Sequence, residues 1–133
     1  MTRAPDIVLV VDDDLSVRTA LKELFETEGY AVVLAAHGRA ALNHLRAGVR
    51  PSVILLDLMM PVMDGWDFRA HQLADPELKD IPVFILTAVG FSADTIRTQF
   101  GDIPFVPKPP GHEGLLEMVR QVCEESSRVA TGS

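Results

Sequence analysis

The chain has 133 residues, 47% hydrophobic and 23% charged, which suits one globular domain with a sizeable core and no second domain beside it. Its 19 acidic residues outweigh 12 Lys and Arg for a formal charge of −7, so it lacks the clustered cations that non-specific nucleic-acid binding needs. The single cysteine, Cys123, excludes an intrachain disulfide and a multi-cysteine metal site. No apolar run has the length of a membrane span and residues 1–6 lack a signal-peptide core, so a cytoplasmic location is expected.

In chain order, Ile7 to Val11 is a continuous β-branched apolar run, the pattern of a strand buried on both faces. Val17, Leu21, Leu24 and Phe25 then share a helical face, with Asp14 or Ser16 as cap and Gly29 suited to the end. Ala31 to Ala35 reads as a second strand, and Ala40, Ala41, Leu42 and Leu45 as a short helix ending near Gly48. Val53 to Leu56 is a third strand ending at Asp57. The loop Met59 to Gly65 follows it, then a helix over Trp66 to Leu73 that stops before Pro76. Val83 to Leu86 is a fourth strand ending at Thr87, followed by a weak amphipathic helix between Ala93 and Phe100. Pro104 to Val106 is a short fifth strand, and Glu113 to Glu125 a last helix with Leu115, Leu116, Val119 and Val122 as its apolar face. The expected domain covers residues 7–125, between an N-terminal tail of residues 1–6 and a frayed polar tail over 126–133. Five strand–helix units with apolar strands predict an α/β fold, a parallel sheet covered by helices on both faces. The pattern leaves strand order open.

Polar groups cluster at the predicted strand ends. The first strand runs into Asp12, Asp13 and Asp14, the third into Asp57 and the fourth into Thr87, and Lys108 follows the fifth. In open α/β sheets ligands bind at the carboxyl ends of the strands, so these groups should converge. Adjacent carboxylates repel, and a hard cation relieves that repulsion; Mg2+ is held by one or two carboxylates plus waters and phosphate oxygens. A lysine point charge and a threonine hydroxyl suit a phosphate oxygen. Together these are the parts needed to place and neutralise a phosphoryl group, with one carboxylate available as nucleophile. Asp14 reads as a helix cap and Asp64 as a turn or helix start rather than ligands. His37, His44, His71 and His112 share no ligand spacing and read as solvated surface residues; Cys123 reads as a small apolar residue of the last helix.

The segments Ile-Val-Leu-Val-Val-Asp-Asp-Asp (7–14), Leu-Leu-Asp-Leu-Met-Met-Pro-Val-Met-Asp-Gly-Trp (55–66), Leu-Thr-Ala (86–88) and Lys-Pro (108–109) resemble the receiver domain of two-component response regulators. The resemblance runs from the first strand to the last helix. It implies a flavodoxin-like fold, a (βα)5 unit with strand order 2-1-3-4-5. It further implies that Asp57 accepts a phosphoryl group from a histidine kinase or a histidine phosphotransfer protein. Asp13, Asp57 and the backbone carbonyl of Met59 would ligate Mg2+, with Asp12 acting through a water. Lys108 would pair with the phosphoryl oxygen, and its bond to Pro109 would be cis. Thr87 would swing toward the phosphoryl group, and Phe105, at the aromatic switch position, would turn inward behind it. The resemblance places partner binding on the face made by the fourth helix, fifth strand and fifth helix. Such a domain is a phosphoacceptor switch rather than an enzyme acting on an external substrate.

The sequence departs from the family pattern near that face. Phe105 stands where tyrosine is commoner, so its signal must be steric. Pro110 and Gly111 follow the Lys-Pro pair, and four prolines between Gly101 and Pro110 stiffen the last loop. Met59 and Val89 occupy positions that tune hydrolysis in the family; both are apolar, which predicts a long-lived aspartyl phosphate. An aspartate-nucleophile phosphatase would carry a carboxylate where Met59 stands. A receiver-shaped interaction module working without phosphorylation would not need Asp12, Asp13, Asp57, Thr87 and Lys108 together. With no output domain expected, the chain reads as a stand-alone receiver or a piece of a hybrid kinase or larger regulator.

Overall fold

The computed structural model describes residues 5–87, 92–107 and 112–131; of residues 87, 93, 107, 112, 113 and 126–131 it describes the backbone. Strands and helices alternate in chain order: β1 (Ile7–Val11), α1 (Leu15–Thr27), β2 (Ala31–Ala35), α2 (Gly38–Arg46), β3 (Val53–Asp57), α3 (Gly65–Ala74), β4 (Val83–Thr87), α4 (Ala93–Phe100), β5 (Phe105–Pro107) and α5 (His112–Thr131). The five strands form one parallel sheet in the order β2-β1-β3-β4-β5. This is the flavodoxin-like order that the resemblance implied.

Side chains alternate across each strand, and the two faces fill two separate cores. Val8, Val10, Val53, Leu55, Phe84 and Leu86 pack with Leu21 and Phe25 of α1 and Leu115, Val119 and Cys123 of α5. On the opposite face Leu9, Val11, Ile54, Leu56 and Ile85 pack with Ala41, Leu42 and Leu45 of α2, Phe68 of α3 and Ile96 of α4. Two-sided burial explains why the strands read as unbroken apolar runs. Leu55 and Leu56 are fully buried, and truncating either to alanine costs about 2–5 kcal/mol.

Local chemistry sets the helix starts. Asp14 caps α1 by accepting from the N–H groups of Ser16 and Val17, and Asp64 caps α3 by accepting from Asp67 N–H. Gly29 ends α1 with a φ of 95°, a conformation that costs glycine little.

Three expectations are corrected. The helix over 113–125 continues to Thr131, so residues 126–131 are helical rather than a frayed tail. No glycine or proline interrupts the chain between Glu125 and Gly132, and nothing there breaks the helical ladder. The fifth strand lies one residue later than expected, with Pro107 opposite Thr87. Because β5 is an edge strand, a proline that cannot donate to the ladder is tolerated there. His37 is half-buried and caps α2: its Nδ1 accepts from Ala40 N–H at 3.1 Å, so it is not simply a solvated surface residue. Histidine is not among the favoured capping residues, and its spacing gave no sign of that role.

Candidate functional site

The sheet order puts β1 beside β3, with Val11 opposite Leu56. The residues that follow, Asp12 and Asp57, therefore emerge side by side at the carboxyl edge. Both are buried, at 0% and 2% exposure, whereas Asp13 is exposed. One carboxylate oxygen from each of Asp12, Asp13 and Asp57 lies within 4.8 Å of the other two. Around a cation held octahedrally at about 2.0–2.1 Å, neighbouring ligands are roughly 3 Å apart and opposite ones roughly 4 Å. The three oxygens need only a small closure to meet that geometry, so the residues present fit a hard divalent cation. Three oxygen donors without sulfur or imidazole favour Mg2+ over softer metals.

The backbone fixes two of the acids. Asp12 N–H donates to the Ala35 carbonyl at 3.1 Å, extending the β1–β2 ladder by one residue. Asp14 N–H donates to Asp12 Oδ1 at 2.9 Å. Met59 N–H faces Asp57 Oδ1 at 3.3 Å, so the Met59 main chain lies beside the Asp57 carboxylate. As expected, Asp14 and Asp64 serve as helix caps.

The loop after β3 is held by close contacts. Gly65 N–H donates to the Leu58 carbonyl, and Gly38 N–H donates to the Met63 carbonyl, both at 2.9 Å. A Cβ on Gly38 would meet Met63 Cγ at 2.8 Å, so the start of α2 supports the loop as closely as α3 does. Between these anchors Met63 N–H donates to the Pro61 carbonyl at 2.7 Å, closing a γ-turn on Val62. Val62 has a φ of 68° there, the rare and strained form of this turn, and its side chain is 79% exposed. Leu15 and Met59 are also exposed, so three apolar side chains reach solvent on the segments that follow β1 and β3.

The structure thus brings together Asp12, Asp13 and Asp57, with Met59 alongside. Thr87 ends β4 opposite Pro107. Phe105 pairs with Ile85 on the edge strand and is 36% exposed, not packed inward. Lys108, Val89 and the Lys108–Pro109 bond lie outside the described residues. Sequence reasoning missed the Gly38–Met63 support and an Arg18 bond to the Asp12 carbonyl. Neither belongs to a recognisable spacing; both depend on how loops meet in three dimensions.

A cavity of about 850 Å³ lies elsewhere, lined by Arg69, Ile81, Phe84, Phe100 and Val122 among others. It includes none of the acidic trio. Burial pushes the Arg69 guanidinium below its usual value, and Arg69 Nη1 donates to Gln72 Oε1. No helix among the described residues is long and apolar enough to cross a membrane.

A parallel 2-1-3-4-5 sheet with an acidic trio at its switch point is a flavodoxin-like α/β domain with a candidate cation site at the carboxyl ends of its strands. Residues 8–120 match the response regulator receiver domain family, and the chain belongs to it. It is 36% identical over 124 residues to the response regulator MprA of Mycolicibacterium vanbaalenii, which covers 92% of this chain and 52% of that protein. The chain spans about half the length of the curated relatives it matches. Among solved structures, the receiver domain of a signal transduction histidine kinase from Syntrophus aciditrophicus superposes with a TM-score of 0.82 at 29% identity, covering 92% of this chain and 93% of that one. The chemotaxis protein CheY4 of Vibrio cholerae gives 0.79 at 31% identity, covering 90% and 99%. The family is one of two-component signalling switches.

Proposed function

We propose that this domain is a switch operated by phosphorylation of Asp57. The observation that carries the reading is the convergence of Asp57 with Asp12 and Asp13 at adjacent strand ends. In this reading Asp13, Asp57 and the Met59 carbonyl would hold Mg2+, with Asp12 acting through a water, and the ion would supply charge neutralisation for the phosphoryl group. An Asp57 oxygen attacks phosphorus and the donor's P–N bond breaks; the phosphoimidazole already carries a proton on its other ring nitrogen, so the bond's electron pair departs with a neutral histidine. Lys108 pairs with the phosphoryl oxygen, and Thr87 donates its hydroxyl to it. The added charge biases Thr87 and Phe105 and so alters the face formed by α4, β5 and α5, where a downstream protein binds. The phosphodonor is a histidine kinase or histidine phosphotransfer protein. Exposed Leu15, Met59 and Val62 supply an apolar rim for such a protein.

Intact mass after incubation with acetyl phosphate tests this. One phosphoryl adduct is expected in wild type with Mg2+, and none without Mg2+ or in Asp57→Asn. A folded wild type that neither acquires an adduct nor binds beryllofluoride would point instead to an interaction module working without phosphorylation.

A further inference from the structure

Arg18 stands one turn into α1, where its own N–H makes an early helical bond to the Asp14 carbonyl at 3.0 Å. Its side chain runs back past the cap, and Nη1 donates to the main-chain carbonyl oxygen of Asp12 at 2.8 Å. The residue is half-buried. Among the described residues it forms no ion pair with a carboxylate, although three aspartates stand four to six residues before it. A guanidinium beside carboxylates ordinarily takes them as a fork, at higher energy than a neutral carbonyl. Here it binds backbone.

The carbonyl it holds belongs to the peptide joining Asp12 to Asp13. That unit is planar, so fixing its oxygen fixes the direction in which Asp13 leaves. The bonds from Asp12 N–H to Ala35 and from Asp14 N–H to Asp12 Oδ1 constrain the same turn from its two sides. Asp13, the exposed member of the trio, depends most on such support, because no core packing holds it.

We infer that Arg18 is a positioning residue for the cation site, holding the Asp12–Asp13 peptide so that both carboxylates face Asp57. The inference rests on reading the acidic trio as a cation site. It makes a prediction opposite to that of simple electrostatics. Removing a positive charge beside three carboxylates should tighten binding of a divalent cation by Coulomb attraction alone. Removing a positioning bond should weaken it.

The test is Mg2+ titration of the full chain by calorimetry and by fluorescence of Trp66, the single tryptophan. It compares wild type, Arg18→Met, Arg18→Lys and Asp13→Asn. Amide hydrogen exchange at Asp12 and Asp14, whose N–H groups are bonded in this turn, is measured in parallel without metal, and circular dichroism checks that each variant is folded. Arg18→Met is expected to weaken Mg2+ binding about tenfold, in line with losses on removing outer support of metal ligands. It should also speed exchange at both amides, while Arg18→Lys, which keeps a donor, recovers part of each effect. Unchanged or tighter Mg2+ binding in folded Arg18→Met overturns the role, as does unchanged exchange. A wild type that takes up no Mg2+ overturns the cation reading and Arg18's role with it. A wild type that binds Mg2+, beside an Arg18→Met that binds it equally well, overturns Arg18's role alone.

Discussion

Gly65 and Asp57 meet backbone to backbone: a Cβ on Gly65 would lie 2.7 Å from the Asp57 carbonyl oxygen and 2.8 Å from Leu58 Cα. The start of α3 is thereby seated against the end of β3, at the residue whose carboxylate joins the acidic trio.

Gly65→Ala should therefore destabilise the domain. At an open helical position the same change would stabilise by roughly 0.5–1 kcal/mol. Here the neighbours are backbone atoms that cannot swing aside, and overpacking costs about 1–3 kcal/mol. Thermal unfolding should show a lower Tm, and Mg2+ affinity should fall because Asp57 is displaced. A Tm equal to or above wild type would contradict the contact.

Much of this arrangement was legible in the sequence. Ile7–Val11 and Val53–Asp57 read as strands because burial on both faces demands unbroken apolar runs, and each run ends in the acids of the site. Which strands are neighbours was not legible from pattern, since the hydrophobic period records the faces of a strand and not its partners. Strand order came only through the motif resemblance. The end of α5 was not legible because polarity at Ser126 and Ser127 resembles a tail, while the helix runs to Thr131. Arg18 escaped notice because its partner is a main-chain carbonyl six residues back, and such a bond leaves no trace in residue type.

Val62→Gly should stabilise the fold. Valine at positive φ carries strain of order 1–3 kcal/mol, and its exposed side chain loses little by removal. Glycine adds about 1 kcal/mol of unfolded-state entropy against this gain. A net stabilisation of about 1 kcal/mol should raise the urea midpoint at unchanged m-value. A lowered midpoint would mean that Val62 contributes packing the exposed position does not suggest.

Mg2+ should raise the Tm of wild type and leave Asp13→Ala unmoved. A ligand that binds only the folded state at tenfold its Kd stabilises by about 1.4 kcal/mol. Asp13 is exposed, so its truncation should cost little stability without metal. Calorimetric scans with Mg2+ and with EDTA read both effects. An equal rise in the variant would place the cation elsewhere.

Tyr30 gives the fold an alkaline limit. Burial is the main cause that raises its phenol above the usual value of 10.0, helped by Cys123 nearby, while Arg120 opposes it. Its ring packs edge-on against Phe25 at 5.7 Å. A phenol whose folded value is raised favours the folded state fully below pH 10 and loses that contribution as pH climbs through the folded value. Tm measured between pH 8 and 11 should fall above pH 10, and Tyr30→Phe should flatten the fall. A parallel decline in the variant would assign the loss to other groups.

In the proposed switch, Met59 is expected to set the lifetime of the phosphorylated state. Its N–H faces the Asp57 carboxylate, and the residue is 57% exposed. A thioether is a weak acceptor and orients an attacking water poorly. An amide at that position can hold the water by a hydrogen bond, and about 1.4 kcal/mol of added stabilisation in the transition state is a tenfold rate. Met59→Asn should therefore speed loss of the phosphoryl group about tenfold, while the wild-type adduct persists for minutes or longer. Time-resolved intact mass after removal of acetyl phosphate measures both. A wild-type adduct lost within seconds, or one that Met59→Asn prolongs, would show that the thioether does not slow the reaction and that water reaches Asp57 by another approach.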